Sequence, residues 1–286
     1  MKIIRGIKAM QGSSGKCKKK GLRIGLVPTM GALHEGHLSL VRSCRRDNDI
    51  TVVSIFVNPI QFGPKEDLKR YPRPAGKDAM LCREAGVDYI FYPSARDMYP
   101  PDFKTGVSVR ELGKGLCGAS RPGHFDGVTT VVAKLFNIVR PDNAYFGQKD
   151  AQQAVIIKRM AKDLDFGINI KVLPIVREKD GLALSSRNIY LDRVGRAEAL
   201  CLSAALRLAK DLIISGQRDT RAVIRAMSAL ISSAKNADIE YIKIVDPNNL
   251  KEIERINDEC LICLAVRIGK TRLIDNVVIK RSGLKK

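Results

Sequence analysis

Two of the three histidines in this chain, His34 and His37, stand three residues apart with Gly36 between them. They close the stretch Gly25-Leu26-Val27-Pro28-Thr29-Met30-Gly31-Ala32-Leu33-His34-Glu35-Gly36-His37, which reads as a strand, a turn through small residues and the opening of a helix. Backbone N–H groups at a helix N-terminus lack intrahelical partners, and the helix dipole adds partial positive charge there, so the place suits an anion. Gly31 and Gly36 allow close backbone approach. The two imidazoles add hydrogen-bond donors for a polyphosphate, and a protonated ring would stabilise charge developing on a leaving pyrophosphate. A lone histidine is usually structural; a pair at this spacing, after a strand and before a helix, reads as functional. Glu35, between them, reads as exposed.

Gly147-Gln148-Lys149-Asp150 forms a second strand-to-helix turn. Lys149 is placed to meet a phosphate as a point charge. Asp150 could cap the helix or hold a ribose hydroxyl. Gln153, one turn in, faces the same mouth. In Leu184-Ser185-Ser186-Arg187 a guanidinium and two hydroxyls could supply further donors to phosphates. Arg121-Pro122-Gly123-His124-Phe125 reads as a flexible cover, and Gln61 lies near the start of a loop that follows a strand. There is no G-x-S-x-G elbow, no Walker A string, and no G-x-G-x-x-G after a strand. The pattern fits phosphate positioning and electrostatics rather than a covalent enzyme intermediate.

The elements that must hold these residues follow from hydrophobic periodicity. Strands are expected over 22–27, 50–57, 87–92, 143–146 and 168–173. Helices are expected from about Gly36, over 75–85 with Gly86 just beyond the end, over 127–139, and over 150–164. Loops 58–74 and 93–126 connect them. This alternation predicts an α/β fold, a Rossmann-like doubly wound parallel sheet, in which ligands sit beyond the C-terminal strand ends at a switch in strand order. The three unusual loops 28–37, 58–74 and 147–150 all follow strands and should share one rim. After about residue 176 two helices precede three short strands, over 239–245, 261–266 and 272–275. The expected organisation is therefore a Rossmann-like nucleotide-binding domain over 1–176 and a smaller α+β lid domain over 177–286.

The 286 residues carry a formal charge of +20, which invites a nucleic-acid reading. Much of the excess sits at the ends: seven of the first twenty residues are Lys or Arg, as are four of the last seven. Aromatic residues are 5%, tryptophan is absent, and no stacking pattern interleaves with the basic residues, so no nucleic-acid partner is expected. The seven cysteines are scattered. Only Cys260 and Cys263 form C-x-x-C, in a stretch that reads as a buried strand, where residues three apart point to opposite faces. No apolar run reaches the roughly 18 residues a membrane span needs. No signal-peptide profile opens the chain, so a cytoplasmic location and no membrane partner are expected.

Seven strings, in order along the chain, resemble the pantothenate synthetase (pantoate-β-alanine ligase) family. They are VPTMGALHEGH at 27–37, SIFVNPIQF at 54–62, YPRP at 71–74, SRPGHFDGV at 120–128, FGQKDAQQ at 146–153, GLALSSRN at 181–188 and RLIDN at 272–276. The resemblance implies ATP-dependent condensation of pantoate with β-alanine through pantoyl adenylate, with AMP and pyrophosphate released, Mg²⁺ on the phosphates, and a homodimer. It makes the domain over 1–176 pantoate-binding as well as nucleotide-binding. It implies that Met30, Gly31, Ala32, Leu33, His34, Glu35, Gly36 and His37 line the ATP site, with His37 as proton donor. Gly147, Gln148, Lys149 and Asp150, then Val176, then Leu184, Ser185, Ser186 and Arg187, would complete that site. His34, His37, Lys149 and Arg187 would be the catalytic set. Gln61 would bind pantoate and β-alanine, and Gln153 would bind pantoate. Gln148 stands where the family often has an acid, and Leu184 where it often has Met. The acidic cluster usual after Tyr-Pro-Arg is thinned here to Lys77-Asp78, so no protein ligand to a metal is assigned. The competing reading is an adenylyltransferase acting on a phosphorylated acceptor. The neutral Gln61 and Gln153 argue against it, since a phosphorylated acceptor would call for Arg or Lys.

Overall fold

The computed structural model describes residues 1–64 and 66–280 and divides them into two compact units. The first comprises 1–114, 118–148 and 156–174, the second 115–117, 149–155 and the chain from Ile175 on. The basic tail over 281–286 lies outside the described residues.

The first unit is built on six parallel strands: β1 (Lys2–Ile4), β2 (Ile24–Thr29), β3 (Ile50–Ile55), β4 (Tyr89–Phe91), β5 (Asn143–Gly147) and β6 (Asn169–Leu173). Their order is β1-β4-β3-β2-β5-β6, so the winding reverses between β2 and β5, where Gly25 pairs with Asn143 and Leu26 with Ala144. The central strands are short β-branched and apolar runs buried on both faces, as parallel strands must be. Along β2, Ile24 and Leu26 enter one apolar cluster and Val27 the other. The first cluster is closed by α1 (Ile7–Lys19), α6 (His124–Val139) and residues 156–163 of α7 (Ala151–Asp163). The second is closed by α2 (Glu35–Asp47) and α3 (Ala75–Glu84). Each buried Leu, Ile or Val contributes about 1.5–3 kcal/mol against exposure, so these layers outweigh surface ion pairs worth about 0–1 kcal/mol each. Two short helices, α4 (Ala95–Met98) and α5 (Cys117–Ser120), interrupt the long connection before α6.

Three features depart from the sequence reading. The basic first twenty residues, given no role there, fold as β1 and α1; β1 pairs with β4 and Met10, Ser14 and Cys17 of α1 turn inward. Leu22 and Arg23 precede β2 rather than opening it. The helix expected over 127–139 begins at His124, so His124 sits in a first helical turn, not in a flexible cover.

The second unit has an antiparallel sheet of β7 (Ala237–Val245), β8 (Glu259–Ile268) and β9 (Thr271–Lys280), longer than the three strands expected. Helices α8 (Arg193–Glu198), α9 (Leu200–Ile214) and α10 (Thr220–Ser232) belong to this unit, and α9 and α10 pack on one face of the sheet. The other face carries Leu116 and Ala151 against Val245, Leu261 and Cys263. Cys260 and Cys263 thus enter different clusters, on opposite faces of β8. Burial pushes the Cys260 thiol up to about 11 and the Cys44 thiol up to about 12, so both stay protonated at neutral pH. No helix among the described residues is long and apolar enough to cross a membrane.

Candidate active site

The histidine loop of the first unit is held by backbone hydrogen bonds at almost every step. At the end of β2 the Thr29 hydroxyl donates to the Ser54 carbonyl (2.8 Å) and accepts from Gly31 N–H (3.2 Å). Gly31 has φ +83°, in the left-handed region, and a Cβ there would stand 2.9 Å from Asp78 Oδ2, so conformation and space both call for glycine. Ala32 follows at φ +50°. Asp78 on α3, 1% exposed, holds this strained pair of residues. Its Oδ2 accepts from Ala32 N–H (2.9 Å) and its Oδ1 from Leu33 N–H (2.8 Å). Burial raises its pKa, while the two N–H bonds pull the other way.

His34 is the N-cap of α2. Its Nδ1 accepts from Gly36 N–H (3.2 Å), and His37 Nδ1 accepts from His34 N–H (3.3 Å). The rings lie with centroids 4.1 Å apart, tilted by 39°. Each Nδ1 is an acceptor, so the proton of each neutral ring sits on Nε2. The cap therefore sets both tautomers and makes both Nε2–H groups donors. An imidazolium at either position would set an Nδ1–H against a backbone N–H and lose that cap bond. Glu35 is exposed and pairs with Arg42.

Gln61, 8% exposed, sits at the end of a 3-10 turn (Pro59–Gln61) after β3. Its Oε1 accepts from Asn58 Nδ2 (2.9 Å), and its Nε2 lies 3.2 Å from Met30 Sδ. Asn58 Nδ2 also reaches the Gly127 carbonyl (3.0 Å), and Asn58 Oδ1 accepts from the Tyr99 hydroxyl (2.7 Å). The histidine loop and the Gln61 turn are thus joined through Met30.

The remaining sequence candidates divide at Gln148. Gln148 ends its run in the first unit, whereas Lys149, Asp150 and Gln153 group with the second. There the Lys149 carbonyl accepts from Asn276 Nδ2 (2.9 Å) on β9. The neighbouring glutamines differ: Gln152 is buried and spends its amide on Cys117 N–H (3.0 Å) and the Gly115 carbonyl (2.8 Å), while Gln153 is half-buried. Val176 and Leu184 come together, with Leu184 N–H donating to the Val176 carbonyl (3.0 Å). Arg187 N–H reaches the Ser185 hydroxyl (3.2 Å). Arg177 forks onto Asp275 (2.6 and 2.9 Å), and Arg196 bonds both Glu178 and Asp180 (2.7 Å each), so ion pairs anchor this loop.

Against known proteins, the family model described as pantoate-beta-alanine ligase matches residues 2–278. The chain belongs to that family. It is 55% identical over 280 residues to the pantothenate synthetase of Caldicellulosiruptor bescii, covering 98% of this chain and 99% of that one. It is 54% identical to that of Moorella thermoacetica at 98% and 99% coverage. A crystal structure of pantothenate synthetase from Thermus thermophilus superposes with a TM-score of 0.92 at 41% identity, covering 97% of this chain and 99% of that one. A Francisella tularensis pantoate-beta-alanine ligase, complexed with beta-gamma ATP and beta-alanine, matches at TM-score 0.80, 36% identity and 97% coverage of both chains. The chain is accordingly a pantoate-β-alanine ligase by family, with the fold of those structures.

Several residues that hold the histidine loop and the Gln61 turn carry no direct signal in the sequence. Asp78 stood out there only as the remnant of an acidic cluster, yet it clamps the histidine loop. Asn58 read as a strand terminator before Pro59, and Tyr99 lay in a featureless connection. The string Val-Asn-Pro-Ile-Gln was the available hint, because Asn58 and Gln61 fall three apart at a tight turn.

Proposed function

We propose that the chain joins pantoate to β-alanine in two steps driven by ATP. A pantoate carboxylate oxygen attacks the α-phosphorus of ATP, and the bond from that phosphorus to the α,β-bridging oxygen breaks. Pantoyl adenylate and pyrophosphate result. The amine of β-alanine then attacks the acyl carbon, the C–O bond to AMP breaks, and the amine proton is lost to give pantothenate.

The observation that carries this reading is the reciprocal cap of His34 and His37, with both Nε2–H groups as donors at the N-terminus of α2. Such donors, with the dipole behind them, favour the charge that gathers on departing pyrophosphate. In this geometry His37 acts by hydrogen bonding from Nε2. We assign Met30 to His37, Gly147 to Asp150, Val176 and Leu184 to Arg187 to ATP, with Lys149 and Arg187 as the cations for its phosphates. Gln61 is assigned to pantoate and β-alanine, and Gln153 to pantoate. Neutral amides can bond a hydroxyl or carboxylate without holding the nucleophile as an ion pair. Asn58, on the Gln61 side chain, and Tyr99 beyond it are neutral as well, and the Arg121 guanidinium at the Gln61 carbonyl is balanced by Glu66, which disfavours a phosphorylated acceptor.

The residues present do not form a cage for Mg²⁺. Among the described residues no group of three His, Cys, Asp or Glu side chains converges, and both oxygens of Asp78 accept backbone N–H bonds. Mg²⁺ is therefore assigned to the phosphate oxygens of the nucleotide, as its preference for few protein ligands allows. A cytoplasmic homodimer completes the reading on family resemblance alone.

The test is AMP formation by the purified protein with ATP and Mg²⁺, adding pantoate and β-alanine separately and together. Sustained AMP release is expected only with both. AMP release that needs neither substrate, or pyrophosphate release with the AMP retained on a phosphorylated acceptor, would overturn the assignment.

A further inference from the structure

We propose that Glu66, Arg121 and His124 form a positioning relay that fixes the main chain of Gln61, and with it the subsite for the hydroxy-acid substrate. The inference rests on the assignment of Gln61 to pantoate. His124, 9% exposed in the first turn of α6, places Nδ1 2.8 Å from the Gln61 carbonyl and Nε2 2.9 Å from Arg121 Nη1. A guanidinium can only donate, so Nε2 is the acceptor and the ring proton sits on Nδ1, pointed at Gln61. This is the opposite tautomer from His34 and His37. Arg121 is held in turn by Glu66, with Nε to Oε1 at 2.8 Å and Nη2 to Oε2 at 2.6 Å. The fork is bidentate and mostly shielded, with side-chain exposures of 15% and 23%, the setting in which such a pair fixes geometry.

The relay acts on a turn that α6 already crowds from one side. A Cβ on Gly127 would lie 2.7 Å from both Gln61 N and Gln61 Cα, so the backbone of α6 presses directly on the turn. Asn58 and Met30 hold the Gln61 side chain, while His124 and Arg121 hold its carbonyl. Glu66 belongs to the same connection as Gln61, so the relay also ties that connection back on itself through α6. The effect falls on Gln61, whereas the histidine loop keeps its own anchor in Asp78.

The test compares His124→Phe, which removes the donor, with His124→Asn, whose Nδ2–H stands where Nδ1–H was. Glu66→Gln, at a half-buried position, loosens the relay from its far end. His124→Phe is expected to raise the pantoate KM about tenfold, the size of one lost hydrogen bond, with the ATP KM within about twofold. His124→Asn should recover most of the loss, and Glu66→Gln should shift the same constant in the same direction by less. An unchanged pantoate KM in His124→Phe, an equal rise in both constants, or no recovery by His124→Asn would overturn the relay. Gln61→Ala, run in parallel, tests the assignment beneath it: an unchanged pantoate KM there would sink that assignment instead. The relay is then judged by ¹⁵N NMR of the unmodified protein. Its three histidines should divide into two rings protonated on Nε2 and one, His124, on Nδ1. His124 found with its proton on Nε2, or on both nitrogens, would contradict the relay even if every variant misfolded.

Discussion

The two loops assigned to the nucleotide are anchored by different physics. In the first unit, Met30 to His37 is held by a buried carboxylate on backbone N–H groups, a threonine hydroxyl and a reciprocal histidine cap. In the second, Val176 to Arg187 is a short turn pair held by ion pairs: Arg177 on the buried Asp275, and the partly exposed Arg196 with Glu178 and Asp180. Bonds of the first kind are short-ranged and shielded. Those of the second are screened by salt wherever water reaches them. One loop is thus fixed by buried backbone bonds, with the left-handed turn at Gly31 and Ala32 clamped by Asp78. The other is secured in part by the Arg196 ion pairs, which salt can weaken where water reaches them.

The largest expected effect strikes the rigid loop where it meets chemistry. His37→Ala should lower kcat by about 10²–10³, the cost of one preorganised donor, with the melting temperature little changed. Near-normal turnover would remove His37 from the mechanism. Next, Asp78→Asn turns an amide NH₂ toward a backbone N–H and should cost about 1–3 kcal/mol of stability with a raised ATP KM. Denaturant unfolding and initial rates check both, and an unaltered ATP KM would show that the clamp does not shape the site. Arg177→Ala leaves the Asp275 carboxylate, 2% exposed, without its fork, and should cost about 1.5–3 kcal/mol. In about 1 M salt, where the screening length falls to ~3 Å, amide exchange of Leu182 and Leu184 should quicken while Ala32 and Leu33 hold. Equal responses would erase the contrast between the loops.

The smallest effect lies away from both loops. Lys171 and Tyr145 hold the Asp47 carboxyl below its ordinary 3.8. A depressed carboxylate contributes stability above its unfolded pKa and loses it as pH falls through the folded value. Lys171→Met should therefore lower stability by about 0.2–1 kcal/mol at pH 7, as for an exposed pair, and the difference should vanish on acidification below 3.8. Melting curves across that range check the sign.

What the sequence made legible follows the same divide. The strong parallel strands and the placing of two histidines at a helix start were readable because their periodicity and spacing are local; the reciprocal cap itself was not. Helix α1 was not, because its inward stripe of Met10, Ser14 and Cys17 includes a serine and its surface is crowded with lysines. His124 looked like loop because Pro122 and Gly123 precede it, yet Gly123, at φ +78°, is the cap from which α6 starts. Asp78, Glu66 and Tyr99 act over 41 or more residues of sequence, through folding that no local pattern encodes. Lys149, Asp150 and Gln153 looked continuous with the parallel sheet, but β9 holds the Lys149 carbonyl through Asn276.

Everything assigned to the histidine loop depends on one order of events: the site adenylates pantoate before β-alanine takes part. Isotope exchange between pyrophosphate and ATP, with pantoate present and β-alanine absent, isolates that step. Exchange should require pantoate and fall by about 10²–10³ in His37→Ala. No exchange without β-alanine, in protein that makes pantothenate when it is added, would contradict that order.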